Sequence, residues 1–491
     1  MATARRYTEA VRRWVKRRGL RGGATVARIL LNRKPIRCDL APAPEGSGLR
    51  PIPGDKGLPV LGHVVEAATL PIAFLESRLQ TYGAVSWMRG FTMPFVLALG
   101  PEVTQEVFAN KDHAFSQQGQ ERYSGRFFPR GLNLLDFEEH RVHRRIMQEA
   151  FTRERLSGYV SSMDTVCRAA AATVPEDELL VYPYLTRTLF DVETKVFLGE
   201  DPGPQSDLMA KAITDCLHAV MAVVRFPVPG LRWYTGVRSR RALERYFYAK
   251  IDARRTSGGD DLFSMLCRAR DEDGNQLGDD DVVNHIIYLM SAASHTSAAA
   301  ATMVVYQLAL HPEWQDRIRA EMPAQTGDGS LDLDALDQMR SLGMVISESI
   351  RLLSPVPVVF RKTLVDSDIQ GFFVPADRMV VVAPLLNHYY PNLWSNPHAF
   401  DPERFSGAGR DDGSHRLAFV PFGSGVHKCI GMHFATMVIK VLIYHLLSGR
   451  RLVVRSGYTL EWDTTALPTP IDDFPVLIRG VNPYVNVTAA T

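Results

Sequence analysis

The hydrophobic and polar positions of this chain predict a mostly helical protein. From Glu102 to about Arg351 the apolar residues recur with the three-to-four-residue spacing of amphipathic helices. The longest predicted helix begins at Asp279-Asp280-Asp281, whose negative charges favour a helix N-terminus, and ends at His311-Pro312. Two further helices are predicted over about Leu333–Leu353 and from Gly431 to about Ser448.

The predicted strands are few and short. Ser86–Met88 and Phe95–Leu99 flank turn residues and predict a hairpin, while Val356–Arg361 and Met379–Val382 are rich in residues that favour strands. We therefore predict a mainly α fold with small β-sheets (α+β), as one large helical domain with a minor β subdomain. The predicted boundaries are a basic N-terminal arm over residues 1–40 and a single large domain over residues 41–491.

The composition of the 491 residues is that of a globular protein, with 46% hydrophobic and 22% charged residues. The five cysteines contain no C-x-x-C pair, which argues against a disulfide framework or a zinc finger and fits a reducing, cytoplasmic setting. No run of 18 apolar residues occurs, so we expect no transmembrane helix.

The net charge of +2 conceals a strongly basic N-terminus. Residues 1–38 carry twelve Lys and Arg and one acid, so no dispersed basic surface for nucleic acid is predicted. Tyr7, Val11, Trp14 and Val15 share one face of a short helix. Such a helix favours peripheral contact of residues 5–37 with an anionic inner membrane face, with a solvated tail or a transit peptide as the alternatives.

The most informative segment runs from Phe422 to Gly431, with the sequence FGSGVHKCIG. A cysteine in a glycine-rich loop that opens a helix has its thiolate favoured by backbone N–H groups, and the glycines let a flat cofactor approach closely. The segment resembles the haem-binding loop of the cytochrome P450 superfamily, F-x-x-G-x-x-x-C-x-G, in every fixed position. The resemblance implies that Cys429 is the metal ligand of haem b, with Phe422, Gly423, His427 and Gly431 beside the cofactor.

Two other segments extend the resemblance over most of the chain. Glu348-Ser349-Ile350-Arg351 resembles the family's E-x-x-R pair, and Pro402–Phe405 resembles its P-E-R-F segment. The resemblance implies a structural network of buried charges formed by Glu348, Arg351 and Arg404. By family position, the carboxylates of haem would meet Arg144, Arg361, His427, His140 and Tyr123, although His140 stands where the family commonly has Trp.

The long helix contains Ala292-Ala293-Ser294-His295-Thr296, which resembles the oxygen-activation motif A-G-x-[D/E]-T. Thr296 matches the alcohol that positions water and delivers protons, and Ala292 lies where dioxygen needs room. Ala293 replaces the usual glycine, and His295 replaces the usual acid. Because histidine titrates near pH 6.5, His295 is a candidate proton shuttle, with a core histidine as the alternative.

The resemblance implies a monooxygenase that uses dioxygen and two electrons to hydroxylate a hydrophobic substrate, such as a terpenoid, fatty acyl or sterol-like molecule. No flavin or iron–sulfur motif is present, so we expect the electrons to come from a ferredoxin and an NAD(P)H-dependent ferredoxin reductase. By family position, the pocket wall consists of Phe127, Phe128, Met221, Leu289, Met290, Ala293, Val358, Val359 and Leu467.

Three alternatives stay open at this point. The His295-Thr296 pair also resembles the sterol 14α-demethylase branch of the family. A haem-thiolate isomerase or peroxygenase would keep the cofactor and drop the monooxygenase chemistry, and a haem sensor would not be an enzyme. Thr296 and the apolar pocket favour the monooxygenase over these last two.

Overall fold

The computed structural model describes residues 22–222, 224–256, 258–322, 331–407, 415–464 and 467–480. Helices dominate these residues and confirm the predicted fold class. The α-helices are α1 Gly22–Leu31, α2 Val64–Thr69, α3 Pro71–Tyr82, α4 Pro101–Ala109, α5 Gln118–Ser124, α6 Phe137–Gln148, α7 Arg153–Ala171, α8 Val181–Leu198, α9 Pro204–Val220, α10 Arg232–Tyr248, α11 Ile251–Thr256, α12 Leu262–Arg268, α13 Asp279–Leu310, α14 Pro312–Glu321, α15 Leu333–Gln338, α16 Arg340–Leu352, α17 Pro384–Asn387 and α18 Met432–Leu447.

The strands form small sheets at the side of the helical core. They are β1 Cys38–Asp39, β2 Pro53–Asp55, β3 Val85–Gly90, β4 Met93–Ala98, β5 Phe115–Ser116, β6 Glu178–Leu180, β7 Val359–Thr363, β8 Ser367–Ile369, β9 Phe372–Val374, β10 Met379–Val382, β11 Arg450–Val453, β12 Trp462–Asp463, β13 Thr469–Pro470 and β14 Pro475–Gly480. The largest sheet has the order β1-β2-β3-β4-β10-β7-β5, and a second has the order β11-β14-β6.

The longest helix, α13, crosses the helical core. Its 32 residues span about 48 Å at the usual rise of an α-helix. It starts at the predicted acidic cluster and ends at Leu310, because Pro312 opens the next helix, α14. It packs against α8, α16 and α18, so one of its faces is available to the functional site while the others are buried in the core.

Residues 333–353 hold two helices where the sequence predicts one. The helix is interrupted at Met339, which has φ −75° and ψ 70° and a fully buried side chain. The backbone N–H and the hydroxyl of Ser341 both donate to the Glu321 carboxylate, at 2.7 and 2.5 Å, and cap the start of α16. The prediction of one continuous helix is therefore wrong, because burial of Met339 and this side-chain cap favour a break.

Strand β7 begins three residues later than predicted. Pro355 and Pro357 have no backbone N–H to donate, so the segment before Val359 cannot join the ladder. The predicted hairpin is present, with β3 and β4 antiparallel, and β10 has the predicted bounds. Strand β10 pairs with β4 in parallel and with β7 in antiparallel register.

The structure describes only part of the basic arm. The predicted amphipathic face at Tyr7–Val15 lies outside the described residues. In helix α1, Ala27 is fully buried, whereas Val26 and Ile29 are 49% and 66% exposed. The helix therefore contacts the body of the protein with one face and presents apolar side chains on another.

One described segment, Gly425–Leu447, is long and apolar enough to cross a membrane. It contains α18, which packs against α7 and α13, and 61% of its apolar window is buried inside the fold. Its apolar composition is thus accounted for by its place in the core.

A buried ion pair joins α16 to the chain that follows β10. Arg351 and Glu348 are both fully buried, and the guanidinium donates two hydrogen bonds to the carboxylate, at 2.6 and 2.7 Å. Arg351 also donates to three carbonyl oxygens in the segment 388–399. The Nε of Arg404 lies 3.5 Å from Glu348 Oε1, so the three charges form one cluster.

We predict that Glu348→Gln lowers the free energy of unfolding by about 3–5 kcal/mol, because it leaves the buried Arg351 charge uncompensated. Glu138→Gln is the matched control, since Glu138 pairs with Arg141 at the same spacing on the surface of α6, and it should change stability little. Denaturant unfolding measures both variants. An equally small effect in both would contradict a stabilising role of the buried pair.

Candidate active site

The segment Phe422–Gly431, here called the cysteine loop, folds back on itself just before α18. The backbone N–H of Cys429 donates to the carbonyl oxygen of Phe422 at 2.8 Å. Gly425 has φ 70°, in the left-handed region that favours glycine. A Cβ at this position would also lie 2.6 Å from the carbonyl oxygen of Phe108. Only glycine therefore lets the loop pack this closely against α4.

His388 connects the buried ion pair to the cysteine loop. Its Nδ1 lies 3.2 Å from the carbonyl oxygen of Arg351, and its Nε2 lies 3.0 Å from the backbone nitrogen of Val420. The N–H of Val420 can only donate, so Nε2 accepts and the proton is on Nδ1. Burial and the Arg351 charge lower the pKa of His388 to about 3, which keeps this neutral form at physiological pH.

A cavity of about 320 Å³ lies between the cysteine loop and α13. One side carries Cys429, and the other carries the α13 face that includes Ala292 and Thr296, which lie one turn apart. The lining residues that the sequence predicted at the site are Cys429, Phe422, Gly423, His427, Gly431, Arg144, His140, Ala292, Ala293, Thr296, Leu289 and Val359.

Six predicted wall residues do not line the cavity: Phe127, Phe128, Met221, Met290, Val358 and Leu467. Phe127 is fully buried and packs edge-on against Trp233, with ring centroids 4.9 Å apart. Met290 lies about 100° around α13 from Leu289, and its side chain is buried in the core. Met221 follows α9 and is 45% exposed. Family position alone did not indicate which way these side chains point.

Tyr123 and Arg361 do not line the cavity either. The Tyr123 ring packs on Phe360, with centroids 4.9 Å apart, and burial raises the pKa of its hydroxyl. The Arg361 guanidinium is buried and donates to the carbonyl oxygen of Phe360 at 2.9 Å. Its charge nevertheless contributes to lowering the pKa of His140 and His427, so Arg361 lies close behind the cavity wall.

One end of the cavity is basic. The rings of His140 and His427 lie 3.9 Å apart, and the described residues that line the cavity include no Asp or Glu. Burial and the positive charges nearby lower the pKa to about 4 for His140 and about 2 for His427. His140 Nε2 is buried and has no hydrogen-bond partner in the described chain. This end is therefore suited to an anionic group that supplies hydrogen-bond acceptors.

The thiol of Cys429 is a potential metal ligand, and opposing electrostatic effects act on its pKa. Its exposed surface faces the cavity, and burial raises the pKa of the thiol. The backbone N–H of Gly431 and the charges of Arg144 and Lys428 lower that pKa in part. A metal cation at the thiol would complete the stabilisation of the thiolate.

The residues present fit haem b. A Cβ at Gly423 or Gly431 would meet no protein atom within 4 Å although both residues line the cavity, so a flat ring has room against the cysteine loop. The thiol of Cys429 faces the same space. The basic end, with the unpartnered Nε2 of His140, suits the carboxylates of haem.

On α13, Thr296 and His295 point to different surroundings. The Thr296 hydroxyl donates to the carbonyl oxygen of Ala292 at 2.6 Å and lines the cavity. His295 lies outside the cavity, with Nε2 3.3 Å from Thr214 Oγ1 on α9. Burial lowers the pKa of His295 to about 4. The geometry therefore favours the core-histidine alternative over the proton shuttle.

Several lining residues were not predicted from the sequence, among them Leu132, Asn133, Phe197, Tyr288 and Phe434. Tyr288 was detectable, because it precedes Ala292 and Thr296 by four and eight residues and so shares their face of α13. Phe434 lies one turn into α18 after Cys429. The others come from loops and from α8, whose position relative to Cys429 no local pattern indicates.

Comparison with known proteins identifies the family. The cytochrome P450 family model matches residues 52–457. Cytochrome P450 136 of Mycobacterium tuberculosis is 44% identical over 465 residues, covering 93% of this chain and 94% of that protein. Cyclooctat-9-en-7-ol 5-monooxygenase of Streptomyces melanosporofaciens is 29% identical, covering 82% of this chain and 90% of its own. The retinoic acid-bound structure of cyanobacterial CYP120A1 matches with a TM-score of 0.79 and 26% identity, covering 87% and 99% of the two chains.

The chain belongs to the cytochrome P450 family. Proteins of this family bind haem b through a cysteine thiolate, and the relatives include a named monooxygenase. The protein is therefore a haem-dependent oxidoreductase of the monooxygenase class.

We predict that His295→Gln leaves the pH profile of turnover between pH 5 and 8 unchanged, because His295 stays neutral there and faces α9. His295 has its ordinary pKa in the unfolded chain, so as the pH drops the unfolded chain binds a proton at this residue before the folded protein does. The stability of the wild-type protein therefore falls as the pH drops from about 6.5 to about 4. Between pH 7 and pH 5 the free energy of unfolding of the variant should decrease by about 1–2 kcal/mol less than that of the wild-type protein.

Turnover assays across this range and denaturant unfolding at the two pH values measure these effects. A shifted turnover profile in His295→Gln would show that His295 handles protons in the reaction after all.

Proposed function

We propose that this monooxygenase hydroxylates a C–H bond of a hydrophobic, lipid-like substrate, in the class of terpenoids, fatty acyl chains and sterol-like molecules. The cavity lining supports this class, because Leu132, Phe197, Leu289, Ile346 and Ile350 contribute apolar surface. One relative is named for oxidation of cyclooctat-9-en-7-ol, and a structurally similar protein holds retinoic acid, both of them hydrophobic small molecules.

In this proposal the Cys429 thiolate binds the haem iron, while Arg144, His140 and His427 bind the haem carboxylates. The bound haem supplies activation of dioxygen, which electron donation from a thiolate favours. The observation that carries the proposal is that Cys429 and Thr296 open onto one cavity from two different elements.

Thr296 has the geometry of a residue that holds water. Its hydroxyl proton is directed to the Ala292 carbonyl oxygen, so its oxygen is left as an acceptor on the cavity face of α13. A water held there can pass protons to the site of oxygen reduction. The small side chains of Ala292 and Ala293 leave space beside it for dioxygen and substrate.

We propose that electrons arrive from a ferredoxin and its NAD(P)H-dependent reductase. The sequence carries no flavin or iron–sulfur motif of its own, and Lys428 is exposed directly beside Cys429, where it can attract an acidic carrier. Reconstitution with a ferredoxin pair, compared with the reductase alone, tests this assignment.

We also propose a cytoplasmic location with peripheral contact between residues 5–37 and the inner membrane face. In the described part of this stretch, Val26, Ile29 and Ile36 are exposed among basic residues, which suits an anionic bilayer surface. Co-sedimentation with anionic vesicles should fall on deletion of residues 1–37, and unchanged binding would contradict the assignment.

The first test is the absorption spectrum of the reduced protein with carbon monoxide. We predict the long-wavelength Soret band typical of thiolate ligation, and its loss in Cys429→Ala. Cys38→Ser is the matched control, because Cys38 is half-buried and does not line the cavity, and it should retain the band. Absence of bound haem in the wild-type protein would refute the proposed function.

We predict that Thr296→Ala keeps the long-wavelength band and lowers the fraction of NAD(P)H consumption that yields product, by about 10-fold or more, as expected for loss of a proton-delivery group. Ser297→Ala is the control, since Ser297 is adjacent and also lines the cavity. The ratio of product formed to NAD(P)H oxidised measures the effect. Equal coupling in Thr296→Ala and wild type would refute the assignment of Thr296.

A further inference from the structure

Arg144 lines the basic end of the cavity without a partner of its own. It is half-buried on α6, and the described residues provide neither a hydrogen-bond acceptor nor an ion-pair partner for its guanidinium. Burial lowers its pKa, while the nearby thiol of Cys429 and phenol of Tyr288 oppose that effect. A half-buried guanidinium that lacks an acceptor from the protein favours binding of an anion.

Tyr288 adds a neutral donor at the same place. Its side chain is on the cavity face of α13, and its hydroxyl has no hydrogen-bond partner in the described chain. Burial raises the pKa of Tyr288, Cys429 raises it further, and Arg144 lowers it, so the phenol stays protonated and lies near both groups. A protonated phenol beside a guanidinium offers an O–H to an acceptor that also carries negative charge.

Asn133 contributes an amide from the loop between α5 and α6. It lies in the 3₁₀ turn Leu132–Leu134, whose leucines are buried while Asn133 lines the cavity. Its Oδ1 is buried without a partner, and its amide nitrogen makes no hydrogen bond within the described residues, so its donors are available. A Cβ on Gly131 would lie 2.8 Å from the Tyr288 ring, which shows that this loop and the ring are in direct contact.

We propose that Tyr288 and Asn133, together with Arg144, form a binding site for a carboxylate group inside the cavity. Arg144 supplies the charge, the phenol donates one hydrogen bond, and the amide, which can turn about its last bond, donates another. The family resemblance placed Arg144 at a carboxylate of haem, whereas Tyr288 and Asn133 are additional. The site rests on the proposed function, because it lies in the cavity assigned to haem and substrate.

Two carboxylates have the chemistry that this site requires. One is a propionate of haem, and the other is the terminal carboxylate of a lipid-like acid. The two ligands can be told apart experimentally. Losing the contact with the propionate weakens retention of haem, whereas losing the contact with the substrate carboxylate weakens discrimination between an acid and its ester.

The test uses full-length holoprotein carrying Tyr288→Phe. In the first assay, if the bound group is the propionate, transfer of haem to excess apomyoglobin should be about 10- to 150-fold faster than in wild type, as expected for one lost hydrogen bond to a charged group. In the second assay, hexadecanoic acid and its methyl ester are titrated by the spin-state shift of the haem. If the bound group is the substrate carboxylate, the acid should bind wild type more tightly than the ester, and the variant should lose about 10- to 150-fold of this preference.

A change in haem transfer alone supports the propionate as the ligand, and a change in acid preference alone supports the substrate carboxylate. Gly131→Ala is the second variant, because it keeps every donor but displaces the Tyr288 ring. It should change whichever assay Tyr288→Phe changes, and in the same direction. Tyr159→Phe is the control, since the Tyr159 hydroxyl is also buried without a partner but lies outside the cavity.

If both assays are unchanged in Tyr288→Phe, the inference is overturned. Retention of the long-wavelength carbon monoxide band in that variant would then show that the proposed function stands and that only the carboxylate site has failed. Loss of haem from the wild-type protein would instead refute the proposed function itself.

Discussion

The buried ion pair between Glu348 and Arg351 is the interaction on which the geometry of the site depends. Arg351 binds the carbonyl oxygen of His388, and His388 in turn accepts the backbone N–H of Val420, two residues before the cysteine loop. The hydrogen bond from Val420 forms only while His388 is neutral, because its Nε2 must be free to accept. Burial, which lowers the pKa of His388 to about 3, therefore helps to hold the loop that presents Cys429.

The cavity combines two electrostatic environments that different groups would satisfy. Around Cys429, burial favours the thiol, and a metal cation is needed to make the thiolate the stable form. At the basic end, His140, Arg144 and His427 face a space with no acid among the described lining residues. Haem suits both environments because it brings a metal centre and carboxylates in one molecule, and the unpartnered hydroxyl of Tyr288 extends the basic end along α13.

The departures from the family's oxygen-activation motif have separate structural consequences. Ala293 replaces glycine on the cavity face, where its methyl group adds to the apolar lining. His295 replaces an acid but turns toward Thr214 on α9, so the substitution alters packing between two helices and leaves the cavity side of the motif to Thr296. The position of the motif on a continuous helix thus decides which of its residues can act on a ligand.

The residues alone predict those elements whose signals are local. The cysteine loop, the bounds of α13 and the Glu348–Arg351 spacing could be predicted because glycine conformation, helix termini and helical periodicity depend on neighbouring residues. Tertiary packing was needed to bury Met290 in the core, to place His295 outside the cavity, to bring His388 to the loop and to set Gly131 against the Tyr288 ring. These contacts join segments distant in the chain, and packing between elements, rather than any local preference, sets the direction of each side chain.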